Sequence, residues 1–251
     1  MRSIVVRNLI LGQGLPKICI PIMGKDLNQL LEAALFALDQ GADMYEWRAD
    51  SFEEVADEGK ILRGLIELRG LIKESPLLFT LRSEKEGGKR TLSDSAYGSV
   101  NDAVIQSGLA DIIDVELSRG AEMINKLIFA AHEKGVFVLL SSHNFEETPP
   151  KEDVLSILQR MQELDGDISK IAVMANSETD LLVLLDTALA MKEEYGDRPY
   201  VTVAMGEKGI LSRVAGGVFG SALTYARGVE PSAPGQLTAS QVRDIIQLLH
   251  Q

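Results

Sequence analysis

The chain has 251 residues, 45% of them hydrophobic and 25% charged. That is enough to bury a large core, and α/β barrels of this size form one domain. A formal net charge of -12 argues against a nucleic-acid surface, which needs clustered Lys and Arg, but leaves room for a small anion held by a few local arginines.

The stretches Ser3 to Val6 and Leu9 to Gly12 flank Arg7-Asn8 and predict a hairpin. Strand-like runs and helical patterns then alternate. The first strand spans Lys17 to Ile22, and the helix opening at Asp26 carries Leu27, Leu30, Leu31, Ala34, Leu35 and Leu38 on one stripe before Gly41. Met44 to Asp50, Leu77 to Arg82, Ile112 to Leu117 and Val136 to Ser141 read as the next four strands. Their helices lie near Gly59 to Lys73, near Ser93 to Ser107, before Gly135, and over Pro150 to Leu164.

The sixth strand is Ile168 to Met174, followed by a helix with a capping-box-like start at Ser177 to Asp180 that ends before Gly196. Tyr200 to Met205 is the seventh strand, with a short helical stretch from Ile210 to Ala215 after it. Ser221 to Tyr225 is the eighth, and the last helix opens at Thr238 with Gln241 at its capping-box position. Eight strand–helix units with right-handed crossovers predict a (β/α)8 TIM barrel with an N-terminal β-hairpin, one domain over residues 1–251. The alternative, an open doubly wound sheet, lacks its Gly-x-Gly-x-x-Gly after the first strand.

Cys19 is the single cysteine, so no intrachain disulfide forms and a reducing compartment is expected. His132, His143 and His250 lie far apart, without metal-ligand spacing, so no metal is expected. Neither a signal-peptide pattern nor an apolar run of ~18 residues occurs, which predicts a cytoplasmic chain with no membrane segment.

The sixth strand carries Lys170 inside a near-continuous apolar run. Burial lowers the pKa of an amine and yields the neutral nucleophile that forms a Schiff base with a ketone. Taken alone, the same residue reads better as a lysine reaching past a strand end to water. Its neighbours change the balance. Active sites of barrels are built at the carboxyl ends of strands. There Glu46, Arg48 and Asp50 alternate along one face, Arg82 and Glu116 close two further strands, and His143 follows the fifth. A charged face inside a barrel must point into the lumen and be paired, and a histidine beside a strand lysine suits acid–base work.

Glu86 lies in a charged loop, Ser83 to Arg90, whose composition predicts a solvated, mobile segment. Arg213 follows the seventh strand, where barrels bind phosphate, and suits either a phosphate or a bidentate carboxylate. Residues Pro231 to Gln236 form a Pro- and Gly-punctuated loop, a connector or a lid with polar groups.

Taken together, the chain resembles the type I 3-dehydroquinate dehydratase family. The resemblance rests on Glu46-Trp47-Arg48-Ala49-Asp50, Phe79 to Arg82 with Glu86-Gly87-Gly88, Asp114 to Leu117, Ser141 to Phe145, Lys170 to Ala172, Met205-Gly206 through Ser212-Arg213, and Ser232 to Gln236. It implies a (β/α)8 barrel, a homodimer, and dehydration of 3-dehydroquinate to 3-dehydroshikimate without metal or organic cofactor. It implies Lys170 as the Schiff-base lysine, His143 as the proton-transfer residue and Glu86 beside it. It also implies substrate contacts from Glu46, Arg48, Arg82, Arg213, Ser232 and Gln236. In the family the histidine is often preceded by Asn and followed by Asp, where Ser142 and Asn144 stand here, and Pro21 occupies a position where relatives offer a hydroxyl. A class I aldolase-type barrel and a catalytically silent acid-binding barrel are the competing readings.

Overall fold

The computed structural model describes residues 2–250. An antiparallel hairpin, β1 (Ile4–Val6) and β2 (Leu9–Leu11), precedes β3 (Lys17–Ile22), α1 (Leu27–Asp39), β4 (Met44–Arg48) and α2 (Glu58–Ile72). Then come β5 (Leu77–Thr80), α3 (Asp94–Ser107), β6 (Ile112–Glu116), α4 (Ala121–Glu133), β7 (Phe137–Asn144) and α5 (Lys151–Glu163). The chain finishes with β8 (Ile168–Met174), α6 (Glu178–Ala190), β9 (Tyr200–Met205), α7 (Ile210–Ala215), β10 (Leu223–Tyr225) and α8 (Ala239–Leu249).

Strands β3 to β9 pair in chain order and β10 pairs back with β3, every ladder parallel. Between β9 and β10 the ring is finished by two bonds. Ala222 N–H donates to the Tyr200 carbonyl at 2.8 Å, and Thr202 N–H donates to the Ser221 hydroxyl at 3.2 Å. This is the expected (β/α)8 barrel with its N-terminal hairpin.

The two-residue period of a strand sorts the lumen into layers. Met44, Leu78, Ile112, Leu139 and Ile168 form an apolar floor. Two residues further along the same strands stand Glu46, Thr80, Asp114, Ser141 and Lys170, all buried. Outward-facing Trp47, Phe79, Val115, Leu140 and Ile171 pack beneath the helices, where each fully buried side chain contributes roughly 1.5–3 kcal/mol. The hairpin seals the floor from below with Ile4, Val6 and Leu11. Arg7 in its turn holds it there, with Nε 2.6 Å from Asp111 and Nη1 2.8 Å from Glu74.

Capping residues fall where the sequence places them: Asp26 accepts from Gln29 N–H, and Ser177 with Asp180 and Thr238 with Gln241 form capping boxes. Several bounds differ from expectation. Strand β7 runs on through His143 to Asn144, because β8 supplies ladder partners that far, His143 opposite Ala172 and Asn144 opposite Val173. Strand β4 stops at Arg48 and turns through a 3-10 segment, Ala49–Ser51. β5 stops at Thr80, and β10 begins only at Leu223. Helix α6 gives way to a wide π turn at Met191–Tyr195. In α1 the buried stripe is Leu30, Ala33, Ala34 and Ala37, while Leu35 faces solvent. Small alanines let the helix lie close to the sheet and rotate Leu35 off the contact.

Candidate active site

All nine residues singled out from the sequence line one pocket at the carboxyl ends of the strands: Glu46, Arg48, Arg82, Glu86, His143, Lys170, Arg213, Ser232 and Gln236. Lys170 is at the centre, 5% exposed, directly opposite Ser141 on β7 and Val201 on β9. Its Nζ lies 3.8 Å from Asp114 Oδ2 and 4.5 Å from the centroid of the Tyr225 ring. Burial brings its ammonium below the usual lysine range. Glu46 and Asp114 pull it back up, and Arg82 and Arg48 press it further down.

His143 stands two residues beyond Ser141 on the neighbouring strand, so both side chains enter the lumen. Burial holds its ring well below the ordinary histidine range, helped by the positive charges of Arg82, Lys170 and Arg48. The imidazole is neutral at neutral pH. Its Nδ1 lies 3.0 Å from Glu86 Oε2, and its backbone N–H donates to the same oxygen at 3.1 Å. With Nδ1–H donating to the carboxylate, Nε2 keeps a free lone pair for a substrate proton. Burial raises Glu86 to about 7, against the pull of Arg82 at 3.6 Å and of the Ser118 hydroxyl, which donates to Oε1 at 2.7 Å.

The loop carrying Glu86 is solvated as expected at Glu84, Lys85, Gly87, Lys89 and Arg90, but Glu86 itself turns inward, which corrects the expectation for that residue. Ser83 N–H donates to Glu116 Oε1 at 2.7 Å and Lys89 N–H to Asp50 Oδ2 at 3.0 Å, and Glu86 itself is buried. Two glycines permit this. A Cβ on Gly87, which has φ +83°, would meet Phe145 Cζ at 2.2 Å, and one on Gly88 would meet the Arg82 carbonyl oxygen at 2.0 Å.

The pocket cations differ in their pairing. Arg48 is bound by Asp50 through Nε at 2.7 Å and Nη2 at 2.9 Å. Arg82 donates to Asp114 at 2.6 Å, Ser141 at 2.9 Å and Glu116 at 3.2 Å. Burial alone would lower Arg82, but Asp114, Glu116 and Glu86 more than offset it. Arg213 is different. It is 2% exposed and donates from Nη2 to the Pro234 carbonyl at 2.8 Å, and among the described residues it has no acidic partner, while its buried Nε has no hydrogen-bond partner at all. Burial without a compensating anion brings it down to about 10. A buried, unpaired guanidinium is costly, and an incoming anion would remove that cost.

Ser232 and Gln236 clasp each other across their loop, with Gln236 Nε2 donating to Ser232 Oγ at 3.0 Å and Ser232 N–H donating to Gln236 Oε1 at 2.8 Å. The space left at the centre is about 50 Å³. A cleft of about 640 Å³ adjoins it and shares Arg48 and Ser232 as walls. Among the described residues no cluster of three His, Cys, Asp or Glu is arranged to hold a metal ion, and no helix is long and apolar enough to cross a membrane.

Residues 18–251 match the family model for type I 3-dehydroquinase. The chain belongs to that family. The 3-dehydroquinate dehydratase of Bacillus licheniformis is 46% identical, over 100% of this chain and 99% of the relative. That of Escherichia coli (strain SE11) is 41% identical over 100% of both. The crystal structure of a type I 3-dehydroquinate dehydratase from Clostridium difficile with covalent modified comenic acid superposes with a TM-score of 0.96 at 43% identity, over 99% of this chain and 98% of that one. A 3-hexulose-6-phosphate synthase at 14% identity and TM-score 0.63 shares the fold alone.

Sequence reasoning leaves several neighbours in the pocket without a role. Asp114 takes Arg82 and the Ser141 hydroxyl on its two oxygens and approaches Lys170. Its signal was available, since Ile112, Asp114 and Glu116 alternate as Glu46 and Arg48 do. Phe145, Met205, Tyr225 and Ala233 supply apolar wall; strand register places Met205 and Tyr225 there, while Phe145 and Ala233 come from loops.

Proposed function

We propose that this chain dehydrates 3-dehydroquinate to 3-dehydroshikimate through an imine on Lys170, with His143 as general acid and base. The observation that carries this reading is the neutral, lumen-facing His143 beside the buried Lys170, with Arg213 unpaired in the same pocket. The names of relatives at 41–46% identity over the full chain support the substrate.

The uncharged Lys170 amine adds to the ring ketone, and the carbonyl oxygen leaves as water after gaining two protons. One comes from the nitrogen and one from the surrounding acid, so a protonated imine remains. His143 Nε2 then removes a proton from the adjacent carbon, and the freed electron pair flows to nitrogen as an enamine. The enamine expels the β-hydroxyl, which takes that proton from His143 and departs as water. Hydrolysis of the conjugated iminium releases the enone and restores Lys170. Each proton transfer by a placed side chain contributes ~10²–10⁴-fold.

Arg213 meets the ring carboxylate, whose carbon also carries the departing hydroxyl, and so fixes which hydrogen faces His143. Glu46, Arg48, Ser232 and Gln236 bind the remaining hydroxyls. Arg82 donates to Asp114, Ser141 and Glu116, so besides any substrate contact it fixes these neighbours around Lys170.

The test is incubation of purified protein with 3-dehydroquinate while following the enone in the ultraviolet, then borohydride reduction during turnover. A stable adduct on the peptide containing Lys170, absent in Lys170→Ala, is the expected result. An adduct on Lys89 or Lys208, or no enone, would overturn the assignment.

A further inference from the structure

The reacting nitrogen must be neutral when it attacks and positively charged when it withdraws electrons. The groups facing it differ in how they serve those two needs. Asp114 and Glu46 favour the charged form. Both have other commitments: the Asp114 oxygens accept from Arg82 and Ser141 at 2.6 Å, and Glu46 Oε1 accepts from Thr80 at 2.7 Å. Arg48 and Arg82 oppose the charge. His143 and Cys19, the remaining titratable neighbours, are held neutral by burial.

One group facing the amine favours a cation without being able to take its proton. The ring of Tyr225, at the end of β10, lies with its face toward Lys170 Nζ, 4.5 Å from centroid to nitrogen, and is 5% exposed. Its hydroxyl has no hydrogen-bond partner among the described residues, so the hydroxyl does not set the ring's position. Burial first, then Glu46, Cys19 and Asp114, push the phenol well above its ordinary range, so the ring stays a neutral aromatic at working pH. The same strand also anchors the backbone of Arg213, because the Thr224 hydroxyl donates to the Arg213 carbonyl at 2.7 Å.

We propose that Tyr225 is a catalytic residue whose aromatic face stabilises the protonated imine on Lys170 by a cation–π contact. This rests on the imine reading of Lys170. A full carboxylate hydrogen-bonded to the nitrogen would hold the free lysine as ammonium and slow the attack. The ring's quadrupole is weaker and has no basic site, so it favours the iminium while leaving the amine able to lose its proton. No additional reactant enters, since the ring changes only the relative free energies of charged and neutral nitrogen.

The experiment replaces Tyr225 by Phe, by 4-fluoro- and 3,4,5-trifluorophenylalanine, and by Leu, in the full-length chain. Fluorine drains electron density from the ring face while hardly changing its volume. Tyr225→Phe should keep kcat within about twofold. The fluorinated rings should lower kcat stepwise to about tenfold, with Leu at least as low and KM nearly constant, in keeping with a cation–π contact at a desolvated site. Borohydride trapping at a single time point should give less Lys170 adduct in the same order. A flat response to fluorination, with unsubstituted protein still trapped on Lys170, overturns the role of Tyr225 alone. So does a loss in Tyr225→Phe equal to that in Leu, which would assign the effect to the hydroxyl or to packing. Absence of a Lys170 adduct in the unsubstituted protein overturns both this role and the imine.

Discussion

A single oxygen of Glu86, Oε2, accepts from two nitrogens of His143, the ring Nδ1 at 3.0 Å and the backbone N–H at 3.1 Å. The strand and the loop are thereby joined at the imidazole. Ring rotation about χ2 would break one bond and keep the other, so the pair fixes both where the imidazole sits and which nitrogen is free.

That arrangement predicts an acid limb in kcat/KM. Glu86 must be ionised to accept Nδ1–H, and burial sets its ionisation at about 7, so the rate should fall as pH drops through that value. In Glu86→Gln the limb should move to the lower range set by His143 itself, with reduced kcat. A limb that stays near pH 7 in the variant would assign it to another group.

The same group predicts a stability change of opposite sense. Its carboxyl holds a proton to about pH 7 when folded, against an ordinary value of 4.5. The stability tied to that proton is therefore complete below 4.5 and is lost as pH rises through 7. At 1.36 kcal/mol per pH unit the loss approaches roughly 3 kcal/mol. Glu86→Gln should thus raise Tm relative to the parent more at pH 8 than at pH 5. Equal displacement at both pH values would contradict it.

Arg213→Ala should raise KM strongly, by the equivalent of about 2–5 kcal/mol for losing one partner of a buried charge pair. Arg213→Lys should recover only part, because a point charge cannot reproduce the bidentate fork. Substrate-like carboxylates should inhibit the parent far better than inorganic phosphate. Equal inhibition by phosphate would favour the generic barrel phosphate site.

His143→Ala should still form the imine, since burial and nearby arginines, not His143, keep Lys170 partly neutral. Turnover should drop at least ~10²-fold. Intact-protein mass spectrometry with and without borohydride should find accumulated adduct and little enone. Turnover at the parent rate would remove His143 from the reaction.

Gly87→Ala tests the loop. Both Gly87 and Gly41 have positive φ, but only at Gly87 would a Cβ collide, with Phe145 at 2.2 Å, while nothing lies within 4 Å of one at Gly41. Gly41→Ala should cost about 1 kcal/mol of stability with unchanged kcat. Gly87→Ala should lose more stability and displace Glu86, lowering kcat. Identical behaviour of the two would sink the packing argument.

Much of this was legible in the residues. The alternation of Glu46 and Arg48 marked a lumen face, and an apolar run around Lys170 marked a buried strand, because a period of two maps directly onto the two faces of a barrel wall. Glu86 was not legible from composition. Its loop, Ser83 to Arg90, is as charged as a solvated one, and two glycines that admit Phe145 and the Arg82 carbonyl let Glu86 alone turn inward. The resemblance, not the local chemistry, brought Glu86 forward. Tyr225 was hidden for another reason: the run Ser221 to Tyr225 carries no charged residue on either face to mark the lumen.

The seam between β9 and β10 bears on how the chain matures. Synthesis proceeds from the N-terminus, so Glu86, His143 and Lys170 all exist before residues 221–225 have been made. Until β10 docks on β3, the cylinder lacks one stave and Lys170 lacks the Tyr225 wall of its pocket. An amine open to water keeps its ordinary basicity. The lowered basicity of this lysine is thus a property of the closed barrel and not of the nascent chain.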